Sequence, residues 1–215
     1  APNFIVGNTM ILKHASNTPA SAEAFADVLR RAGVPDGSFA NLFIDYDQVG
    51  QAIADPRVAG VALTGSERGG AAVAKEAGAN LKKSTLELGG NDAFIILPDA
   101  DWDLVRQVAP QSRLMNAGQI CSASKRFIVV GDRYDEFVEF MKQEFAKVQP
   151  GDPMDPATTL APLSSARAKD KLQKQVDAAV AAGAHVEYGN TPIDSDGAFF
   201  QPTVLTGIDR DNPGF

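Results

Sequence analysis

An α/β fold, part of a doubly wound parallel domain followed by a second α/β domain, is predicted by three features of the 215-residue sequence. Short apolar runs alternate with segments of helical period, the connections between them are brief, and the pattern restarts after Gly89-Gly90. At 44% apolar and 22% charged residues the composition is that of an ordinary globular chain, which excludes disordered and fibrous classes.

Each element follows from local signals. Residues 9–12 read as a short buried strand. Thr18-Pro19 opens a helix, since proline suits a first turn, and Ala22, Phe25, Ala26 and Leu29 give it one apolar stripe before Gly33 and Pro35 end it. Residues 39–44 form the next strand, 47–54 a helix and 60–63 a strand. An alanine-rich helix over 68–79 is entered through Thr64-Gly65-Ser66, and a further strand carries Glu87. Beyond the glycine pair, 93–97 is an apolar strand and Asp101 caps a helix through Trp102, Val105 and Val108. Pro110 lies inside that helix and, lacking an N–H, is expected to kink it or end it early. Residues 127–130 form a strand. The stretch 133–148 places Tyr134, Phe137, Val138, Met141, Phe145 and Val148 at helical spacing, so its aromatics belong to a core. After a loop over 150–162, a helix over 166–182 turns Leu172, Val176, Ala179 and Val180 inward and stops at Gly183. Strands over 185–188 and 199–205 follow.

Charge and cysteine usage narrow the function. A net charge of −7 and a pI near 4.8 argue against sequence-independent binding to nucleic acid or to an anionic membrane, both of which need clustered Lys and Arg. Acidity suits a small-molecule enzyme. Cys121 is the only cysteine, so no intrachain disulfide can form and a cytoplasmic location is expected. No apolar run approaches membrane-spanning length, and the first residues lack the features of a signal peptide. The chain has no initiator methionine and stops at Asn212-Pro213-Gly214-Phe215, which points to a piece of something longer.

Four local signals carry chemistry. Lys13 ends the first strand, at the edge where α/β sheets place ligands. Thr64-Gly65-Ser66-Glu67-Arg68-Gly69-Gly70 is a strand-to-helix turn able to offer backbone amides to an anion. Glu87 lies in Leu86-Glu87-Leu88-Gly89-Gly90, where flanking leucines promise partial desolvation. Cys121 sits in Asn116-Ala-Gly-Gln-Ile-Cys-Ser-Ala-Ser-Lys125, a loop of small residues. Singly, each has a bland reading: a buried small hydrophobe for the thiol, a wet strand face for the acid, a solvated lysine, an ordinary turn. A thiol and a carboxylate together can share acyl chemistry, the sulfur attacking and the carboxylate taking a proton from water.

The ordered set resembles the aldehyde dehydrogenase superfamily. Gly7-Asn8-Thr9-Met10-Ile11-Leu12-Lys13 resembles the strand that ends in its adenosine-ribose lysine, and Leu63-Thr64-Gly65-Ser66 with Gly70 resembles its cofactor turn. Leu86-Glu87-Leu88-Gly89-Gly90 is similar to its general-base motif and Asn116 to Cys121 to its nucleophile motif, at a family-like separation of 121 − 87 = 34 residues. Gln201-Pro202-Thr203-Val204-Leu205 resembles a segment of its catalytic domain. Within the superfamily, Leu12-Lys13-His14-Ala15-Ser16-Asn17, Leu81-Lys82-Lys83-Ser84 and Gly151-Asp152-Pro153-Met154-Asp155 look most like bacterial succinate-semialdehyde dehydrogenases.

The resemblance implies part of a nicotinamide-cofactor domain over residues 1–88 and most of a catalytic domain over 89–215. It implies an oxidoreductase that turns an aldehyde, succinate semialdehyde foremost, into the acid. Cys121 would be the nucleophile and Glu87 the base, with Lys13, Ser16, Thr64, Gly65, Ser66, Gly70, Leu88 and Gly89 holding NADP or NAD. Ser16 stands where the family often has a ribose-binding glutamate, and losing that charge relieves repulsion of a 2′-phosphate, which favours NADP. Where some relatives carry a substrate-binding arginine this chain has Met115, and Arg113 is the candidate substitute anchor. No metal is implied. The full-length enzyme is expected to be a homodimer or homotetramer. The family's oxyanion asparagine would precede Ala1 and its nicotinamide-ribose motif would follow Phe215, so this chain alone is expected to have little activity. The alternatives are a non-catalytic fragment that keeps the motifs by descent and an acylating relative, the latter opposed by Glu87.

Overall fold

The computed structural model describes residues 2–215. They fall into two compact units, one ending at Gly89 and the other beginning at Gly90.

The first unit runs α1 (Pro2–Ile5), β1 (Met10–Lys13), α2 (Pro19–Arg31), β2 (Phe39–Leu42), α3 (Tyr46–Ala54), β3 (Gly60–Thr64), α4 (Glu67–Ala79) and β4 (Lys83–Glu87). Strands β1 and β2 pair in parallel with Met10 opposite Phe39, and β3 pairs with β4 so that Thr64 lies opposite Glu87. Parallel neighbours need a crossover, and α2 and α4 supply it. The strands pair two by two. A helix between two strands returns the chain and so fixes their relative direction, but it says nothing about which pairs lie side by side.

Local chemistry starts these helices. Asp45 and Gln48 form a capping box on α3: the Asp45 carboxylate accepts the Gln48 N–H at 2.8 Å and the Gln48 side chain accepts the Asp45 N–H at 3.0 Å. Ser66 caps α4 by accepting the Gly69 N–H at 3.2 Å. Pro19 takes the first position of α2, although Thr18 makes no side-chain cap bond. Ala22 is buried on the predicted stripe, while Phe25 stays half exposed and sets its ring edge-on to Phe39 at 5.5 Å.

The second unit runs β5 (Ala93–Ile96), α5 (Trp102–Leu114), β6 (Arg126–Val129), α6 (Tyr134–Ala146), α7 (Ala166–Ala181), β7 (His185–Tyr188) and β8 (Val204–Thr206). Strands β5 and β6 are parallel, whereas β7 and β8 are antiparallel. The core joins Ile96 of β5, Val105 and Ala109 of α5, and Phe137, Met141 and Phe145 of α6. Phe127 of β6 stacks at 5.4 Å from both Phe94 and Phe137. Leu114, the last residue of α5, packs against the same cluster, which anchors the helix end that leads to Cys121.

Three expectations are corrected. Helix α5 does not end early at Pro110 but continues through it to Leu114. The missing N–H forfeits one bond, to the Arg106 carbonyl, while the Asp101 cap and fully buried Ala109 hold the helix on either side. Val180 is 38% exposed, so the buried stripe of α7 rests on Val176 and Ala179. The strand over 199–205 contracts to Val204–Thr206, because Pro202 cannot donate to a ladder and Phe199 is buried instead. Among the described residues no helix is long and apolar enough to cross a membrane.

Candidate functional site

Cys121 lies on the loop between α5 and β6, and its thiol is exposed. The loop begins with three successive left-handed residues, Asn116 at φ 51°, Ala117 at φ 52° and Gly118 at φ 76°. Asparagine and glycine accept this region; for an alanine it costs roughly 1–2 kcal/mol. Such strain persists only where neighbouring groups hold it.

Here several do. The Gln119 backbone N–H donates to the Asn116 carbonyl at 3.1 Å and its side-chain amide donates to the same oxygen at 3.2 Å. Its side-chain oxygen accepts the Ser164 N–H at 2.8 Å, tying the turn to a distant segment of the same unit. Ala123 N–H donates to the Ile120 carbonyl at 3.1 Å, and Ser124 N–H donates to the Ser112 carbonyl in the last turn of α5 at 3.2 Å. The Cys121 N–H meets no acceptor among the described residues, which leaves it free for an oxyanion.

Arg113 is partly buried beneath this loop. Its Nη1 donates to the Ser124 carbonyl at 3.1 Å and its Nη2 to the Gly118 carbonyl at 3.0 Å. Burial draws the guanidinium pKa downward. Lys125 Nζ donates to the carbonyls of Cys121 at 3.1 Å and Ala123 at 3.0 Å. Neither this use of Lys125 nor Gln119 as a strut is among the expectations from the sequence. A loop rich in small residues, with many carbonyls to satisfy and two flanking cations, is the signal that was present.

The remaining predicted residues lie in the first unit. Glu87 closes β4 and is exposed, its carbonyl accepting the Gly65 N–H at 2.9 Å. The desolvation expected from Leu86 and Leu88 does not arise from them, because strand alternation turns Leu86 inward and Glu87 outward. In-register pairing sets Thr64 beside Glu87, so the turn Thr64-Gly65-Ser66 and the acid share one end of the β3–β4 pair. Gly70 is buried in α4, and a Cβ there would stand 2.7 Å from a Leu88 methyl carbon, so the glycine lets the helix close on Leu88. Gly89 is exposed, and a Cβ there would meet nothing. Lys13 closes β1 with its ammonium 5.1 Å from the Tyr46 ring centroid, and Ser16 is exposed in the turn beyond it.

The N–H groups of Glu67 and Arg68, at the start of the 13-residue α4, find no acceptor among the described residues. Two free amides at the positive end of a helix suit a diphosphate. A groove of about 580 Å³ runs beside α2, lined by Asp27, Leu29, Val34 and Phe39 among others, and none of the predicted site residues lines it. Among the described residues no group of three or more His, Cys, Asp or Glu is placed to hold a metal ion.

Residues 1–215 match the aldehyde dehydrogenase family, and the chain belongs to it. It is 51% identical over 211 residues to a succinate-semialdehyde dehydrogenase (NADP(+)) of Deinococcus radiodurans, covering 98% of this chain and 44% of that protein. A protein of the same name from Mycobacterium avium is 47% identical over 98% of this chain and 45% of its own length. The crystal structure of succinic semialdehyde dehydrogenase from Streptococcus pyogenes in complex with NADP+ superposes with a TM-score of 0.96 at 58% identity, covering 100% of this chain and 47% of that one. The chain thus spans a little under half the length of the relatives it matches.

Proposed function

We propose that this chain carries the nucleophile, the base and part of the cofactor-binding surface of an NADP-preferring aldehyde dehydrogenase acting on succinate semialdehyde. The observation that carries this is the exposed Cys121 thiol on a strained loop with an unengaged N–H beneath it, in a chain that matches the family along its whole length. The substrate and the preference for NADP rest on what the relatives are named for.

The Cys121 sulfur, as thiolate, attacks the aldehyde carbon; a C–S bond forms as the carbonyl pair moves onto oxygen, and the Cys121 N–H donates to that oxyanion. The cofactor, when bound, supplies the acceptor for the hydride that leaves the same carbon. The free amides of Glu67 and Arg68 would receive its diphosphate, Lys13 its ribose end, and Gly70 would keep Leu88 and α4 close. Glu87 takes a proton from water as the water oxygen adds to the thioester carbon, and the C–S bond breaks to return the thiolate and free acid.

Two substitutions in the intact protein test this. Cys121→Ala abolishes NADP reduction by succinate semialdehyde. Glu87→Gln keeps the rapid first turnover and slows steady release of acid roughly a hundredfold or more, the usual contribution of a general base. Turnover by Cys121→Ala, or thioester hydrolysis at the ordinary rate in Glu87→Gln, refutes the roles assigned. Product isolated as a coenzyme A ester in place of free acid would favour the acylating reading.

A further inference from the structure

The loop over residues 118–124 carries four carbonyl groups that are held by two side-chain cations. Arg113 reaches it from inside, donating to Gly118 O before the cysteine and Ser124 O after it, at 3.0 and 3.1 Å. Lys125 reaches it from its end, donating to the carbonyl of Cys121 itself and to that of Ala123, at 3.1 and 3.0 Å. We infer that Arg113 and Lys125 are positioning residues that clamp the nucleophile loop, and that Arg113 serves this purpose in place of anchoring the substrate carboxylate.

Three further observations support the clamp. Gly118 lies at φ 76°, and a Cβ there would overlap the Arg113 guanidinium, so the glycine leaves room for the cation to reach its own carbonyl. Arg113 stands on the last turn of α5, one residue before core-packed Leu114, so it is fixed to a rigid element. The preceding residues Asn116 and Ala117 are left-handed, and a strained turn relaxes unless both of its ends are held. Charge-assisted bonds to carbonyls are stronger than neutral ones, and two forks on one short loop restrain it from both sides. The consequence is fixed direction for the Cys121 thiol and for the N–H beside it. The loop restraint stands by itself; its effect on turnover rests on the function proposed above.

The test compares wild type, Arg113→Met, Arg113→Lys and Lys125→Met in the intact protein. Amide hydrogen exchange is read on peptides covering 117–125. Loss of either cation raises exchange of those peptides about tenfold, the size expected for one or two charge-assisted hydrogen bonds. Peptides of α6 keep the wild-type rate, and Arg113→Lys recovers part of the protection. In turnover, Arg113→Met lowers kcat for acidic and neutral aldehydes alike with KM little changed. Unaltered exchange over 117–125, or a rise in KM confined to acidic aldehydes, overturns the inference, the second outcome restoring Arg113 as a substrate anchor. Should Arg113→Met fail to fold, Lys125→Met decides, because that residue is exposed. Exchange is read without substrate, so absence of aldehyde oxidation would strike the proposed function and leave the clamp to be judged by its own measurement.

Discussion

Single residues here do several tasks at once, and Asp55 illustrates how charge and backbone are linked. It ends α3, where a carboxylate faces the negative end of the helix dipole. Arg57 answers with side-chain donors at 2.9 and 2.7 Å and its own N–H at 2.9 Å, while Lys82 donates to the carbonyls of Ile53 and Asp55. The Arg57 hydrogen bonds, with Lys82 assisting, hold the Asp55 carboxyl well below its ordinary 3.8. A depressed acid pKa stabilises the fold fully above the unfolded value and loses that contribution as pH falls through the folded one. Thermal midpoints measured from about pH 7 down to about pH 2 should therefore separate wild type from Asp55→Asn at the upper end and converge toward the lower. A constant separation across that range would mean that the carboxylate charge is not what matters. The group is partly exposed and screened, so the difference is small.

At the scale of elements, the meeting of α4 with the end of β4 is decided by a missing side chain. Alanine at Gly70 would gain helix propensity of about 1 kcal/mol, but its Cβ would press on the Leu88 methyls. Valine adds bulk that Leu88 cannot yield to without moving, so Gly70→Val should destabilise by about 1–3 kcal/mol. It should also weaken NADP binding, because α4 and its free amides shift with the helix. Equilibrium unfolding and cofactor titration check both, and an unchanged affinity in a destabilised protein would separate packing from binding. Much of this scale was legible beforehand: Asp101 as a cap and the Phe137, Met141, Phe145 stripe follow from spacing. What was not legible was the persistence of α5 beyond Pro110 and the outward turn of Val180, since both depend on what packs against the helix and not on its own period.

For the whole molecule, cofactor choice is the property that a single charge can move. Ser16 is exposed in the turn after Lys13, and on the function proposed above the 2′-phosphate of NADP would meet the Lys13 cation there. Two like charges a few ångströms apart at a protein surface repel by about 1–4 kcal/mol, depending on screening. Ser16→Glu in the intact protein should thus cut affinity for NADP by tenfold or more and leave NAD affinity equal or improved. Binding of both cofactors measured by titration decides it, and an unchanged ratio would show that the phosphate does not lie near this turn.

The sequence determined by itself the α/β class, the parallel direction of the first unit's strand pairs, most helix starts and the family, because these depend on period, caps and ordered local motifs. Tertiary structure alone decided how strands partner two by two, and that Arg113 and Lys125 spend their hydrogens on the loop around Cys121. The physical reason is one of range. Propensity and capping act within a few residues, whereas the partner of a carbonyl or the neighbour of a carboxylate is whatever the packed chain brings within about 3 Å.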